Sequence, residues 1–297
     1  MGNYSIKELE KLSGIKAHTI RIWEKRHKII EPSRTQTNIR YYSDEDLKKI
    51  LNISILNSNG YRISEIASLS RIALVDKVKK LSEEKSDPGI YIDQLTLSMI
   101  DFDEARFEKL ISTFILKLGF QRTMLEIVYP FLTKIGVLWL SNNISPIQEH
   151  FITNLIRQKI IVAIDGLNAN VPESAKRIVF FLPDNEMHEI GLLFFHYLLK
   201  EMGYKTFYLG QYVPLIDLVE SVRMINPDSM ICSVSYSPSA KQLKKYLAGL
   251  DEKFPGIDIY ITGQPLLKQG IADYEKLHYF KDALHLQEIY SEVPQEV

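Results

Sequence analysis

Arg177-Ile178-Val179-Phe180-Phe181-Leu182-Pro183-Asp184-Asn185-Glu186-Met187-His188-Glu189-Ile190-Gly191 decides how the C-terminal part of the chain folds. Arg177–Leu182 is a short apolar run, the pattern of a strand covered on both faces, and Pro183 ends it. After a polar turn, His188–Met202 reads as a helix closed by Gly203. The alternation repeats downstream. Strands are expected over Lys205–Leu209, Ser229–Val234 and Ile257–Thr262, and helices over Ile216–Met224 and Ala240–Leu250. This order predicts a doubly wound parallel sheet over residues 176–288, with a ligand crevice outside the carboxyl ends of its strands. Asp184, Glu186 and His188 fall there after the first strand, Ser233 and Ser235 after the third, and Gly263 after the fourth. No G-x-G-x-x-G follows the first strand and no Gly-Lys-Ser occurs, which argues against dinucleotide and P-loop chemistry.

Upstream, residues 92–172 form a second piece that reads as a helical bundle. Phe107, Leu110, Ile111, Phe114 and Ile115 recur at helical spacing, as do Met124, Ile127 and Val128, then Phe131, Ile135 and Leu138. Ser145-Pro146-Ile147-Gln148 is a helix start, with Pro at the first helical position and Gln closing a capping box. Trp139 therefore ends one helix, while Glu149 and His150 sit in the first turns of the next. Taken alone, a Trp in a bundle is core and a Glu-His pair is surface.

The first piece spans residues 1–81. Ser5-Ile6-Lys7-Glu8 is a capping box, Leu9 and Leu12 mark an apolar face, and Gly14 stops the helix. A second short helix runs over Lys16–His27, with His18, Arg21 and Lys25 on one face and Ile20 and Trp23 pointing elsewhere. Two short helices about a Gly turn, the second basic, describe a helix-turn-helix. Pro32–Tyr42 supplies turn formers, Arg34, Arg40 and the Tyr41-Tyr42 pair, suiting a β-wing. Ser43-Asp44-Glu45-Asp46 caps a further helix, and Gly60–Ile66 opens another.

Charge points the same way. The 297 residues carry a formal net charge of only -1. Between Lys16 and Tyr42, however, seven Lys or Arg face two Glu. A compact basic segment on a mildly acidic chain suits a polyanion-binding module joined to something else. The single cysteine, Cys232, excludes a disulfide framework and a Cys-based zinc site. No apolar stretch approaches a membrane span and the N-terminus lacks a signal-peptide layout, so a folded cytoplasmic protein is expected.

Tyr4-Ser5-Ile6, Leu12-Ser13-Gly14, Thr19-Ile20-Arg21-Ile22-Trp23-Glu24, Pro32-x-Arg34, Arg40-Tyr41-Tyr42-Ser43 and Gly60-Tyr61-Arg62-Ile63 together resemble the winged-helix domain of the MerR family of transcription regulators. The resemblance implies binding to double-stranded operator DNA through Lys16, His18, Thr19, Arg21 and Lys25 on the helix and Arg34, Arg40 and Tyr41 or Tyr42 on the wing. Asn38 stands where the family often has Gly, and Asn tolerates the left-handed turn. Glu186-x-His188-x-x-Gly191 resembles the Asp-x-His-x-x-Gly signature of cobalamin-binding Rossmann-like domains, with Glu for Asp. There the His is the lower cobalt ligand, the acid orients its other nitrogen, and the Gly admits the nucleotide tail. A neutral imidazole backed by a carboxylate suits cobalt. The family's later Ser-x-Leu and Gly-Gly appear as Ser233-Val234-Ser235 and Gly263-Gln264, and Gln264 adds a side chain beside the tail. Trp139-x9-Glu149-His150 resembles the helical-domain motif of CarH/LitR-like regulators, in which Trp, Glu and His cover the upper face of adenosylcobalamin as a light sensor. The combined resemblance implies an oligomeric, non-enzymatic repressor. Two alternatives remain open: a regulator whose cofactor site has decayed and which answers to a protein antirepressor, and a cobalamin-dependent methyltransferase or mutase subunit.

Overall fold

A computed structural model of the chain describes residues 4–84, 87–140, 145–167, 171–235, 239–269 and 274–292, without side chains at 83, 84, 137–140, 268 and 269. It divides into two compact units, Met1–Leu155 and Ile156–Val297.

The first unit is helical apart from one hairpin. Helix α1 (Ile6–Ser13) starts at the expected capping box: the Ser5 N–H donates to Glu8 Oε2 at 2.5 Å and the Glu8 N–H to Ser5 Oγ at 3.4 Å. Helix α2 (Ala17–His27) follows, burying Ile20 and Trp23. Strands β1 (Ser33–Arg34) and β2 (Arg40–Tyr41) pair antiparallel, and Asn38 at the tip adopts φ 63°. That is the left-handed conformation expected of it. Helix α3 (Asp44–Ser58) carries its own capping box, Ser43 with Asp46, and buries Leu47, Ile50 and Leu51. Short α4 (Ile63–Ala67) and α5 (Arg71–Glu84) complete the head.

Helix α6 (Pro88–Asp101) begins a layer with α7 (Glu104–Leu118), the single turn α8 (Phe120–Thr123) and a π-helical turn over Met124–Val128. Helix α9 (Tyr129–Leu140) follows. Phe107, Ile111, Phe114, Ile127, Phe131 and Ile135 are buried, as their spacing requires. Helix α10 (Pro146–Asp165) opens as its box predicts, the Ser145 N–H donating to Gln148 Oε1 at 3.1 Å. The division between units falls within this helix.

In the second unit, β3 (Arg177–Pro183), α11 (Ile190–Glu201), β4 (Lys205–Val213), α12 (Leu215–Ile225), β5 (Ser229–Ser233), α13 (Ala240–Lys253) and β6 (Asp258–Thr262) alternate as expected. Three elements absent from the sequence reading follow: α14 (Gln264–Gln269), β7 (Leu277–Tyr279) and α15 (Ala283–Ser291). The five strands are parallel in the order β4-β3-β5-β6-β7. The chain leaves β3 to one side and returns on the other, so the switch point lies between β3 and β5. Some boundaries differ from expectation: β4 runs on past Leu209 to Val213, and α13 past Leu250 to Lys253. Helix α11 begins at Ile190, so His188 lies in the preceding loop and not on the helix.

Beneath the sheet, the buried His196 of α11 bonds Thr206 Oγ1 through Nε2 at 2.9 Å and stacks on Tyr208 with centroids 5.3 Å apart. Burial, with Lys200 nearby, lowers its imidazole to about 4. Between that value and the ordinary 6.5 the unfolded chain binds a proton that the folded chain refuses. Stability from this group is therefore complete above pH 6.5 and drains away as pH falls toward 4, by up to about 3 kcal/mol. Chemical denaturation across that window should show the loss, and His196→Gln should flatten it.

Candidate functional site

The C-terminal ends of β3 and β5 hold one carboxylate in common. Glu186 follows β3 and is 0% exposed. The His188 backbone N–H donates to its Oε1 at 2.9 Å, and His188 Nδ1 lies 2.6 Å from the same oxygen. The Ser235 N–H, just beyond β5, donates to Oε2 at 2.5 Å. The loop is shaped for this. The Glu186 N–H turns back to the Pro183 carbonyl at 3.1 Å, Asn185 adopts φ 66°, and Gln211 Nε2 pins the Met187 carbonyl at 2.6 Å. The His188 side chain is 72% exposed. With Nδ1 on the acid, the tautomer that donates from Nδ1 presents Nε2, the basic nitrogen, on the opposite edge of the ring.

Behind the loop sits a second acid that sequence reading missed. Glu189 is buried, paired with Arg157 Nε of α10 and accepting from the Tyr208 hydroxyl at 2.9 Å. Burial and the Glu189 charge push that hydroxyl up, so it remains a donor. Arg157 carried no signal beyond its type, whereas Asn185 between Pro183 and Glu186 was a readable turn former. Burial and the charge of Glu186 likewise push the Cys232 thiol up, which keeps it neutral and unsuited to metal.

Two glycines differ in what they answer to. A Cβ built on Gly263 would stand 1.9 Å from the Val234 carbonyl oxygen, and the residue has φ 139°. The fold itself demands glycine there. A Cβ on Gly191, by contrast, would meet nothing closer than a Phe195 ring carbon at 3.9 Å. Ser233 is buried at the end of β5 opposite Thr262, Ser235 is exposed, and Gln264 is exposed at the start of α14.

In the first unit, His150 Nδ1 lies 3.6 Å from Glu149 Oε2 near the start of α10. Trp139 is the last residue but one of α9, and its side chain lies outside the described residues. On α2 and its approach, Lys16, His18, Arg21 and Lys25 are exposed and Thr19 is half-buried. Lys16 pairs with Glu10 at 3.2 Å. Arg34 is exposed and bonds Asn38 Oδ1 at 2.6 Å, while Tyr41 is half-buried. Arg40 Nε meets Glu24 Oε1 at 3.3 Å, lashing the wing to α2 through an acid first read as a bare charge. Tyr42 does not belong to the wing surface. It is 0% exposed, bridges to Tyr4 through paired backbone bonds of 2.8 Å, and is pushed up to about 12 by burial and Glu24. Its alternating position turns the ring into the core, which leaves Tyr41 as the wing tyrosine.

Residues 4–71 match the MerR HTH regulatory protein family, and residues 91–163 match the B12 binding domain. The chain therefore joins a MerR-type helix-turn-helix segment to a segment that matches the B12 binding domain. The HTH-type transcriptional repressor CarH of Myxococcus xanthus is 25% identical over 290 residues, spanning 94% of this regulator and 95% of its own length. CarA of the same organism, another HTH-type transcriptional repressor, is 22% identical over 77% of this chain and 75% of its own. The fold is shared with the Methanosarcina barkeri monomethylamine corrinoid protein, at TM-score 0.57 and 17% identity, covering 69% of this chain and 98% of that one. Both of these relatives are described as HTH-type transcriptional repressors.

The two glycines give a direct contrast. Gly191→Ala should leave the melting temperature unchanged or slightly raised, since alanine favours a helix. Gly263→Ala should destabilise the regulator by about 1–3 kcal/mol from backbone strain alone, before the clash is counted. Thermal unfolding of both variants would decide.

Proposed function

We propose that this chain is an operator-binding transcriptional repressor that senses cobalamin in its adenosyl form, with light removing the adenosyl group and cofactor state controlling assembly on DNA. The observation that carries the reading is the buried Glu186 bonded to His188 Nδ1 at the switch point of the sheet, in a chain headed by a winged helix.

The residues fit the cofactor. Among the described residues no three His, Cys, Asp or Glu cluster to hold a bare metal ion. A single imidazole backed by a carboxylate suits a metal that arrives already chelated, as cobalt does in a corrin. The openness around Gly191, which nothing in the fold requires to be glycine, suits close approach of a nucleotide tail. In this reading His188 Nε2 is the lower cobalt ligand and Glu186 fixes its tautomer and raises its basicity. Ser233, Ser235, Gly191 and Gly263 border the tail, and Trp139, Glu149 and His150 cover the upper face. When bound, the cofactor supplies a cobalt–carbon bond that light breaks. Trp139 would lend the bound adenosyl form an extra contact, and a contact made in only one cofactor state can shift assembly by no more than its differential free energy. The relatives' description as repressors supports the sign of regulation, and no described helix is long and apolar enough to cross a membrane.

On the DNA side, Arg21 of α2 reads a base edge in the major groove, Lys16, His18, Thr19 and Lys25 flank it, and Arg34, Arg40 and Tyr41 grip the backbone. Arg21→Ala should weaken cognate binding by about 1–3 kcal/mol and relax base choice. Arg40→Ala should weaken all sequences alike and lower the salt slope by about one. Gel-shift titrations at several salt concentrations read both, and parental affinity in both variants would remove the head from this role.

The cofactor half is tested by absorption spectra and size-exclusion chromatography with adenosylcobalamin, first dark and then illuminated. The parent chain should take up cofactor, assemble and bind operator in the dark, and lose both on illumination. His188→Ala should abolish or greatly weaken uptake, and Trp139→Ala should bind cofactor without assembling. A parent chain indifferent to cofactor and light would favour the decayed site that Gln264 suggests, with control passing to a protein antirepressor.

A further inference from the structure

Within the first unit, α5, α6 and α7 line a cavity of about 570 Å³, a size typical of small-molecule sites. Gln94 of α6 forms part of its wall and is only 5% exposed. Its Oε1 accepts from Arg106 Nη2, which fixes the orientation of the amide. The buried Nε2 then has no hydrogen-bond partner. A buried donor left this way is costly, and such groups in folded chains call for an explanation.

Arg106 is the second anomaly. Among the described residues no carboxylate lies within ion-pair distance of its guanidinium, whose partner is the neutral Gln94 amide. Burial lowers its pKa, the mark of a cation stripped of water and poorly compensated. The two nearest acids are engaged elsewhere. Asp101 holds Lys48 at 2.6 Å, and Asp103 Oδ1 caps α7 by accepting the Arg106 backbone N–H at 2.9 Å. The apolar part of the wall comes from Val75, Leu110 and the ring of Tyr91, and Lys79, Lys109 and Lys117 line it as well.

We propose that this cavity binds a small organic monoanion, a carboxylate on an apolar body. Arg106, oriented by the Gln94 amide, holds the carboxylate, and Val75, Tyr91 and Leu110 cover the body. Charge-assisted bonds from a guanidinium suit a planar carboxylate. Because α5 packs on α3 of the DNA-binding head, such a ligand would bear on the head from a site separate from His188.

Isothermal titration of the full chain without cobalamin tests this directly. The probes are decanoate and 2-naphthoate, each compared with its neutral counterpart, decanol and 2-naphthol. At least one acid should bind saturably at one per chain, at least tenfold tighter than its alcohol. Arg106→Met should weaken that binding at least tenfold, and Leu110→Trp, which fills the cavity but keeps the charge, should abolish it. Circular dichroism confirms that the variants fold, and the acid–alcohol comparison on the parent chain needs no variant. Failure of both acids to saturate, equal affinity for acid and alcohol, or undiminished binding in both variants would overturn the proposal.

Discussion

A fully buried carboxylate organises the second unit. Glu186 lies where the chain changes direction across the sheet, and its two oxygens take different partners. Oε1 receives the backbone N–H and Nδ1 of His188, and Oε2 receives the N–H of Ser235 beyond β5. A charge out of water is expensive unless each lone pair finds a donor, and here the donors come from both sides of the switch point. Satisfying that acid therefore closes the crevice end of the sheet and fixes the imidazole in one act. The loop leading to it adopts a left-handed Asn185 and a tight turn onto Pro183, a local strain that the three bonds offset.

The glycines show why residue type alone is ambiguous. Gly263 matches a cofactor motif, yet its own neighbour Val234 leaves no room for a Cβ. Gly191 matches the same motif and is unconstrained by the chain. Only the second is unexplained without a ligand, so it is the stronger witness for one.

Much of this architecture was legible before any coordinates, for local physical reasons. Ser5 with Glu8, Ser43 with Asp46 and Ser145 with Gln148 are caps that the backbone must satisfy nearby, and all three start helices. The strands were legible because a sheet covered on both faces needs unbroken apolar runs. What escaped was set by contacts distant in sequence or by local competition. The α11 helix starts late because the His188 N–H is taken by the side chain two residues before it, a turn that competes with helix. Strand β7 is three residues long with a polar centre and has no pattern to read. The two wing tyrosines look alike in sequence, and only the bridge to Tyr4 decides that Tyr42 is core. Arg157 and Glu189 meet across 32 positions, which no spacing rule anticipates.

The charge distribution bears on how such a chain can be switched at all. Its head is small and basic, while the whole chain is nearly neutral, so a single head gains only a few phosphate contacts. The cations near the DNA-facing side are partly spent on internal partners, Lys16 on Glu10 and Arg40 on Glu24, which hold them in place but reduce their net field. Under the proposed reading, tight and selective binding comes from several heads meeting repeated half-sites at once, where linked binding multiplies affinity without a new contact. Under the proposed reading, control of assembly is enough to control the operator. The winged helix need not change shape when cofactor state changes; it needs only to lose its neighbours. A signal that acts this way requires no chain of side chains running from the crevice to α2, and the price of regulation is confined to the free energy of assembly.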